Sequence, residues 1–219
     1  GVSLYVSPDQ LMSDRAEFAR KGIAKGRSVV VASCAEGVVF IAENPSPLLH
    51  KVSEIYDRIG FAAVGRYAEF ESLRISGIQY ADLRGYTYDR RDVTARGLAN
   101  QYAKTLSAAF AASSDKPFEV ELAVAGLGFE PETDELFTIS FDGTVSDHRT
   151  ACVLGARTES ISTGLTGLQV DMDLRTTIAS IRSLLDSGTP VEVALLDRHS
   201  ARTRCFRRLD LSAMGEGES

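Results

Sequence analysis

Two apolar runs near the start of the chain, "SVVVASC" from Ser28 and "GVVFIAE" from Gly37, are separated only by Ala35-Glu36. Neither alternates apolar with polar residues, as a strand with one wet face does. Uniform runs of β-branched residues belong to strands covered on both faces. A two-residue separation makes them a hairpin. The chain must therefore build a sheet with apolar layers above and below it, which excludes a simple one-sided sheet.

The remaining pattern extends this picture. "KVSEIYD" from Lys51 and Gly60 to Gly65 read as a second strand pair. Tyr67, Phe70, Leu73 and Ile78 then recur at helical spacing between Arg66 and Leu83. A second long helix is expected from about Val93 to Ala112, with Leu98, Tyr102, Leu106 and Phe110 on one face. "FEVELAVAGLG" reads as a strand, "ELFTISFDGTVSDH" as a hairpin turning at Asp142-Gly143, and "ACVLGA" as another strand. A helix follows from about Asp173 to Leu185, capped by Asp171 or Asp173, and "VEVALLD" and "TRCFRRLD" form a last hairpin. Helices come in blocks between antiparallel groups of strands. That order, with no GxGxxG fingerprint, excludes a doubly wound parallel sheet. Two antiparallel sheets packed face to face, with helices outside each, fit it.

Ahead of the first strand stands a helix with its own start signal. Ser7 can cap it, Pro8 suits its first position and Gln10 completes a capping box. Leu11 and Phe18 share one face, taken here as its apolar side, and Gly26 ends it. The short tail before it is small and apolar.

The chain has 219 residues, a net charge of −6 and a pI of about 5.2, which disfavours a nucleic-acid binder. No run is long enough to span a bilayer, and the first residues lack a signal-peptide pattern, so a cytoplasmic location is expected. Cys34, Cys152 and Cys205 sit singly in apolar runs and read as buried thiols. The histidines His50, His148 and His199 do not cluster with them, so neither a metal site nor any cofactor is expected.

Several separated motifs carry a resemblance over nearly the whole chain. "VSPDQLMSDRAEFARKGIAKG" resembles the N-terminal helix of proteasome α-type subunits. "GVVFIAENP", "HKVSEIYDRIGFAAVG", "KPFEVELAVAG" and "ISFDGTV" resemble the same family in the same order. "ARKGIA", "DRIGFAAVG" and "RGYTYDRRDVT" are similar to the actinobacterial α subunits in particular. The resemblance implies an α+β fold, the four-layer αββα sandwich of N-terminal nucleophile hydrolases, over residues 7–211. Residues 1–6 would be a flexible gate tail, and 212–219 a disordered acidic tail.

It also implies roles. A β-type sister subunit exposes a threonine at the start of its first strand, whose own amine is the base. Here the chain continues upstream of Ser28 into the capped helix, so that amine is missing, although Glu43 and Lys51 fall at acidic and lysine positions of the β type. A catalytically silent subunit of a seven-membered outer ring follows, with Val2, Leu4, Tyr5 and Val6 in a tail obstructing the axis. Lys51 matches the lysine that pairs with the C-terminal carboxylate of a hexameric ATPase activator, and Gly65 and Glu17 line the same pocket. Ser113, Ser114, Asp115 and Lys116 fall in the loop at the ring's inner constriction. Partners are the β subunits, neighbouring α subunits and the activator, with no nucleic acid and no membrane. "YTYDRR", Tyr86 to Arg91, has the aromatic and arginine content of a subunit contact. The tail lacks the Tyr-Asp-Arg triplet of archaeal and eukaryotic α subunits. The alternatives are an active hydrolase of the same fold, which hydrolysis by the isolated chain would reveal, and an unrelated sandwich-type binding module, which would not assemble with a β partner.

Overall fold

A computed structural model describes residues 6–112 and 116–215. The N-terminal hairpin pairs β1 (Val29–Cys34) with β2 (Gly37–Glu43), from Val29 opposite Ala42 to Cys34 opposite Gly37. Both strands are buried along their whole length. β3 (Val52–Tyr56) and β4 (Ile59–Gly65) form the next hairpin. Helices α2 (Tyr67–Thr87) and α3 (Ala95–Ala111) follow. Then come β5 (Val120–Gly126), β6 (Glu135–Ile139), β7 (Val145–His148) and β8 (Ala151–Leu154). Two helices, α4 (Thr158–Gly164) and α5 (Leu174–Arg182), precede β9 (Val191–Asp197) and β10 (Phe206–Leu209). A short α6 (Leu211–Gly215) begins where the disordered tail was expected, and residues 216–219 lie outside the described ones.

The strands make two antiparallel five-stranded sheets, ordered β10-β9-β2-β1-β8 and β3-β4-β5-β6-β7. Val29, Val31, Val38 and Phe40 of the first sheet meet Ala62, Val64, Ala123 and Ala125 of the second in one apolar layer. The alternate residues Val30, Ala32, Val39 and Ile41 face outward onto Ile161, Ile178 and Ile181 of α4 and α5. On the second sheet, Phe61, Leu122 and Val124 face Phe70, Leu73, Leu98 and Leu106 of α2 and α3. Helix, sheet, sheet, helix is the expected sandwich, and it explains the sequence: each central strand buries both of its faces. Burying a valine, leucine or isoleucine fully contributes about 1.5–3 kcal/mol. Close fit sets details within α2. Tyr102 donates its hydroxyl to Leu73 O at 2.8 Å, and a Cβ at position 77 would stand 2.0 Å from that hydroxyl, so only glycine fits there.

Helix α1 (Pro8–Ala24) starts at the expected cap, Ser7 Oγ accepting from Gln10 N at 3.1 Å, but the Gln10 side chain reaches forward to Asp14 Oδ1 at 2.8 Å rather than back to complete a capping box. It ends at Ala24 with Lys25 as a right-handed C-cap, and Gly26 follows without the positive φ of a left-handed cap. Its expected apolar face is corrected. Leu11 and Phe18 are exposed (42% and 43%), and the helix buries Ala19 and Ile23 instead, against the open end of the inter-sheet layer. Leu11 and Phe18 lie on the flank of the helix, about 80–100° round from Ala19 at 100° per residue, away from the side that packs on the sheets. Arg15 anchors the helix further by donating to Phe110 O and Ala109 O, both at 2.9 Å. These carbonyls end α3 and have no partner within it, so the arginine also complements the helix dipole. The connection between β8 and α5 contains a helix that the sequence pattern does not announce, α4, whose Ser-Thr-Gly-rich sequence lacks a helical period. Among the described residues no helix is long and apolar enough to cross a membrane.

Candidate functional site

The start of β1 is where this fold gathers its polar groups. The chain leaves α1 through Lys25-Gly26-Arg27 and enters the sheet at Ser28, which is fully buried. Ser28 is an internal peptide unit. Its N–H donates to Glu43 Oε1 at 3.1 Å, and its hydroxyl donates to Ala156 O at 2.5 Å. Glu43 ends β2 and is 2% exposed, so its charge needs partners. It has them: Arg157 Nη2 at 3.1 Å and the Asp186 N–H at 3.1 Å complete its shell. Arg157 reaches that position from a left-handed backbone conformation, φ +58, at the start of α4. Arg27 donates to Thr189 Oγ1 at 2.9 Å, and Thr189 donates in turn to Asp186 Oδ2 at 2.8 Å. Hydrogen bonds from Gly188 N and Thr189 hold the Asp186 carboxyl below its usual range. A cleft of about 510 Å³ opens here, lined by Lys25, Gly26, Arg27, Glu43, Arg157 and Asp186.

Lys51 stands immediately before β3 and belongs to the second sheet, yet its ammonium reaches back to the first. Nζ donates to Arg27 O at 2.9 Å and to Glu43 O at 3.1 Å. Burial lowers its pKa to about 8, against the opposing pull of Glu43 and Glu192. With two of its three hydrogens on backbone carbonyls, one remains for an incoming acceptor. Gly65 closes the neighbouring edge. It adopts φ +111, and a Cβ there would lie 1.9 Å from Glu119 O, so the position requires glycine. A Cβ at Gly26 would lie 3.3 Å from Gly65 N, which places Gly65 against the segment that Lys51 holds.

The structure therefore brings Lys51 and Gly65 together around Gly26-Arg27. Glu17 lies about two turns back along α1, exposed and paired with Lys21 at 3.4 Å. Val6 is exposed at the front of α1, and Lys116 is exposed beside Pro117. Val2, Leu4 and Tyr5 of the tail, and Ser113, Ser114 and Asp115 of the loop, lie outside the described residues. Sequence reasoning missed Arg157, Asp186 and Glu192, the partners that hold Glu43 and Lys51. A weak signal existed for Glu192, which shares an otherwise apolar strand only with Asp197, its last residue.

The head of β1 does not present the free amine of an N-terminal nucleophile at Ser28. The nitrogen at the head of β1 is an amide, without the lone pair a base needs. Ser28 Oγ is turned onto a carbonyl, and no hydrogen bond joins it to Lys51 Nζ among the described residues. What remains is a lysine with a spare N–H beside a glycine edge and a cleft lined by three cations and two carboxylates, and the lysine suits an anionic ligand.

A second surface stands apart from this one. Tyr86 (91% exposed) in the last turn of α2 and Tyr88 at its C-cap project beside Arg90 and Arg91 of the link to α3. Phe129 is exposed nearby on the β5–β6 connection, where Arg58 stacks on its ring at 4.7 Å. A cleft of about 650 Å³, lined among others by Tyr56, Arg90, Val93 and Leu127, joins the two.

A family model described as "Proteasome subunit" matches residues 23–194. The chain is 51% identical over 216 residues to a protein named proteasome subunit alpha from Streptomyces griseus, covering 94% of this chain and 80% of that one. It is 52% identical to the proteasome subunit alpha of Arthrobacter sp. (strain FB24), covering 93% and 90%. It is also 52% identical to that of Xylanimonas cellulosilytica, covering 99% and 95%.

Proposed function

The chain belongs to the proteasome subunit family, and from that premise we infer that it serves as a non-catalytic α-type subunit of the outer rings of a 20S core particle in the cytoplasm. One observation carries the catalytic silence: Ser28 at the head of β1 is an internal amide donating to Glu43, behind a 17-residue helix. That helix buries only Ala19 and Ile23, so most of its surface is free to meet a neighbouring α subunit in a seven-membered ring. The exposed tyrosines and arginines at the end of α2 and in the link that follows it have the composition of a subunit contact. The tail ahead of Ser7 obstructs the ring axis, and the loop around Lys116 lines the inner constriction. Lys51 and Gly65, with Glu17, receive the C-terminal carboxylate of a hexameric ATPase activator in the cleft between neighbouring subunits. A lysine whose hydration is already reduced is a fitting partner for such a carboxylate.

Coexpression with the β subunit of the same genome tests this reading. Native mass measurement should show a four-ring particle with this chain outside, and fluorogenic peptides should be cleaved by the particle and not by the isolated chain. A mixture of folded monomers, or hydrolysis by the isolated chain, would overturn it.

A further inference from the structure

Glu192 sits on β9, opposite Ala42 of β2, and its side chain is 10% exposed. It points toward the connection that carries the chain from the first sheet to the second. Oε1 accepts from the backbone N–H of Lys51 at 2.9 Å and from Asn44 Nδ2 at 3.1 Å. Oε2 accepts from Val52 N at 3.3 Å and from Arg208 Nη1 at 2.7 Å, and lies 3.1 Å from His50 Nδ1. Arg208 closes the loop by donating to Val52 O at 2.8 Å. One carboxylate thus holds both ends of the 44–52 connection, and three of its five contacts fall on consecutive residues, His50, Lys51 and Val52.

We propose that Glu192 is a positioning residue for carboxylate recognition at Lys51, fixing the backbone from which that ammonium reaches Arg27 O and Glu43 O. This rests on the reading of Lys51 as the carboxylate site. The physical argument is one of reach. A lysine has a flexible four-carbon stem and places its charge accurately only if its backbone is held. The segment from Asn44 to His50 has no regular structure, so its position depends on side-chain acceptors. Without Glu192, the amides of Lys51 and Val52 lose their acceptor and turn to water. The Lys51 backbone then keeps the bond its O accepts from Ala63 N at 3.0 Å but loses the one at its N–H, its side chain leaves the two carbonyls more readily, and the ligand must order it again.

The test compares Glu192→Ala, Glu192→Gln, Lys51→Ala and the double variant, each as the assembled particle. The probe is a peptide copy of the ATPase's C-terminal tail, as free carboxylate and as amide. Glu192→Ala should weaken the free-carboxylate peptide about tenfold, the scale of losing a supporting partner behind a ligating group. In the Lys51→Ala background it should weaken it no further. An equal loss in both backgrounds, or no loss in either, would overturn the proposal. Reductive methylation of Lys51, read by mass spectrometry on the isolated chain, is the second measurement and needs no assembly. It should run faster in Glu192→Ala and Glu192→Gln than in the parent, and an unchanged rate sinks the clamp. If Lys51→Ala binds the peptide like the parent, the carboxylate reading itself fails, while the methylation rate still decides whether Glu192 positions Lys51.

Discussion

Two half-buried ionisable groups show how a single residue couples to pH. Lys51 keeps a pKa of about 8 because burial opposes its charge, against 10.5 in water. Between those values the unfolded chain holds a proton that the folded chain lacks, so this group adds stability as pH rises through that window. Docking runs the other way, because a carboxylate needs the ammonium. Affinity for an activator tail should therefore fall as pH rises through about 8. Lys51→Ala should cost about 2–5 kcal/mol of that binding, roughly 30-fold to several thousand-fold at 1.4 kcal/mol per tenfold. Lys104→Ala, an exposed lysine on α3, should cost well under about 1 kcal/mol. Equal small losses in a titration at fixed salt would mean that the carboxylate binds elsewhere. Glu121 is the opposite case. It faces the end of the inter-sheet layer beside Arg20, Ile23 and Phe141, and burial raises its pKa to about 7. The folded chain holds a proton between 4.5 and 7 that the unfolded chain has lost, so stability falls as pH rises across that range. Glu121→Gln should raise the melting temperature above pH 7 and leave it unchanged below 4.5. A pH-independent change would show that the carboxylate is not strained by burial.

At the scale of elements, α1 shows the difference between forming a helix and placing it. Its start is local chemistry: Ser7 caps it and Pro8 fills the first turn. Its attachment is tertiary and slight, resting on Ala19, Ile23 and the two Arg15 hydrogen bonds. Because the cap lies at Ser7, removing Gly1 to Val6 should leave thermal stability almost untouched. In the assembled particle the same deletion should speed the cleavage of short peptides. Unchanged turnover by a correctly assembled particle would count against an obstructing tail. Arg15 ties this helix to the end of α3.

Over the whole molecule, a buried ion pair spans the two sheets. Arg198 follows β9 and pairs with Asp134 at 2.7 Å, with side chains 5% and 0% exposed. The same guanidinium donates to Cys34 O and Ala35 O on the β1–β2 hairpin and to Gly128 O on the β5–β6 connection. Asp134 accepts further from Gly128 N and Ser33 Oγ. Removing one partner leaves a buried charge with unmet hydrogen bonds. Arg198→Ala should cost about 3–5 kcal/mol in urea unfolding. A loss under about 1 kcal/mol would mean that the sheets hold together by apolar packing alone.

The sequence by itself determined the layers. Strands that are apolar at every position can exist only between two other layers, and that is a property of composition along a single run. It also determined the start of α1, since a cap acts within three residues, and the family, through motifs kept in order. Three kinds of feature were decided only in the tertiary structure. The buried side of α1 depends on what it lies against, and Leu11 and Phe18 look as apolar as Ala19 and Ile23 when read along the chain. Helix α4 gave no periodic signal and is held by Ile161 in the layer beneath it. The site draws Ser28, Glu43 and Lys51 together with Arg157, Asp186 and Glu192 because β9 pairs with β2 and α4 starts beside Ala156. A buried carboxylate takes whatever donors the folded chain places beside it, and no local pattern in the sequence encodes a partner more than a hundred residues away.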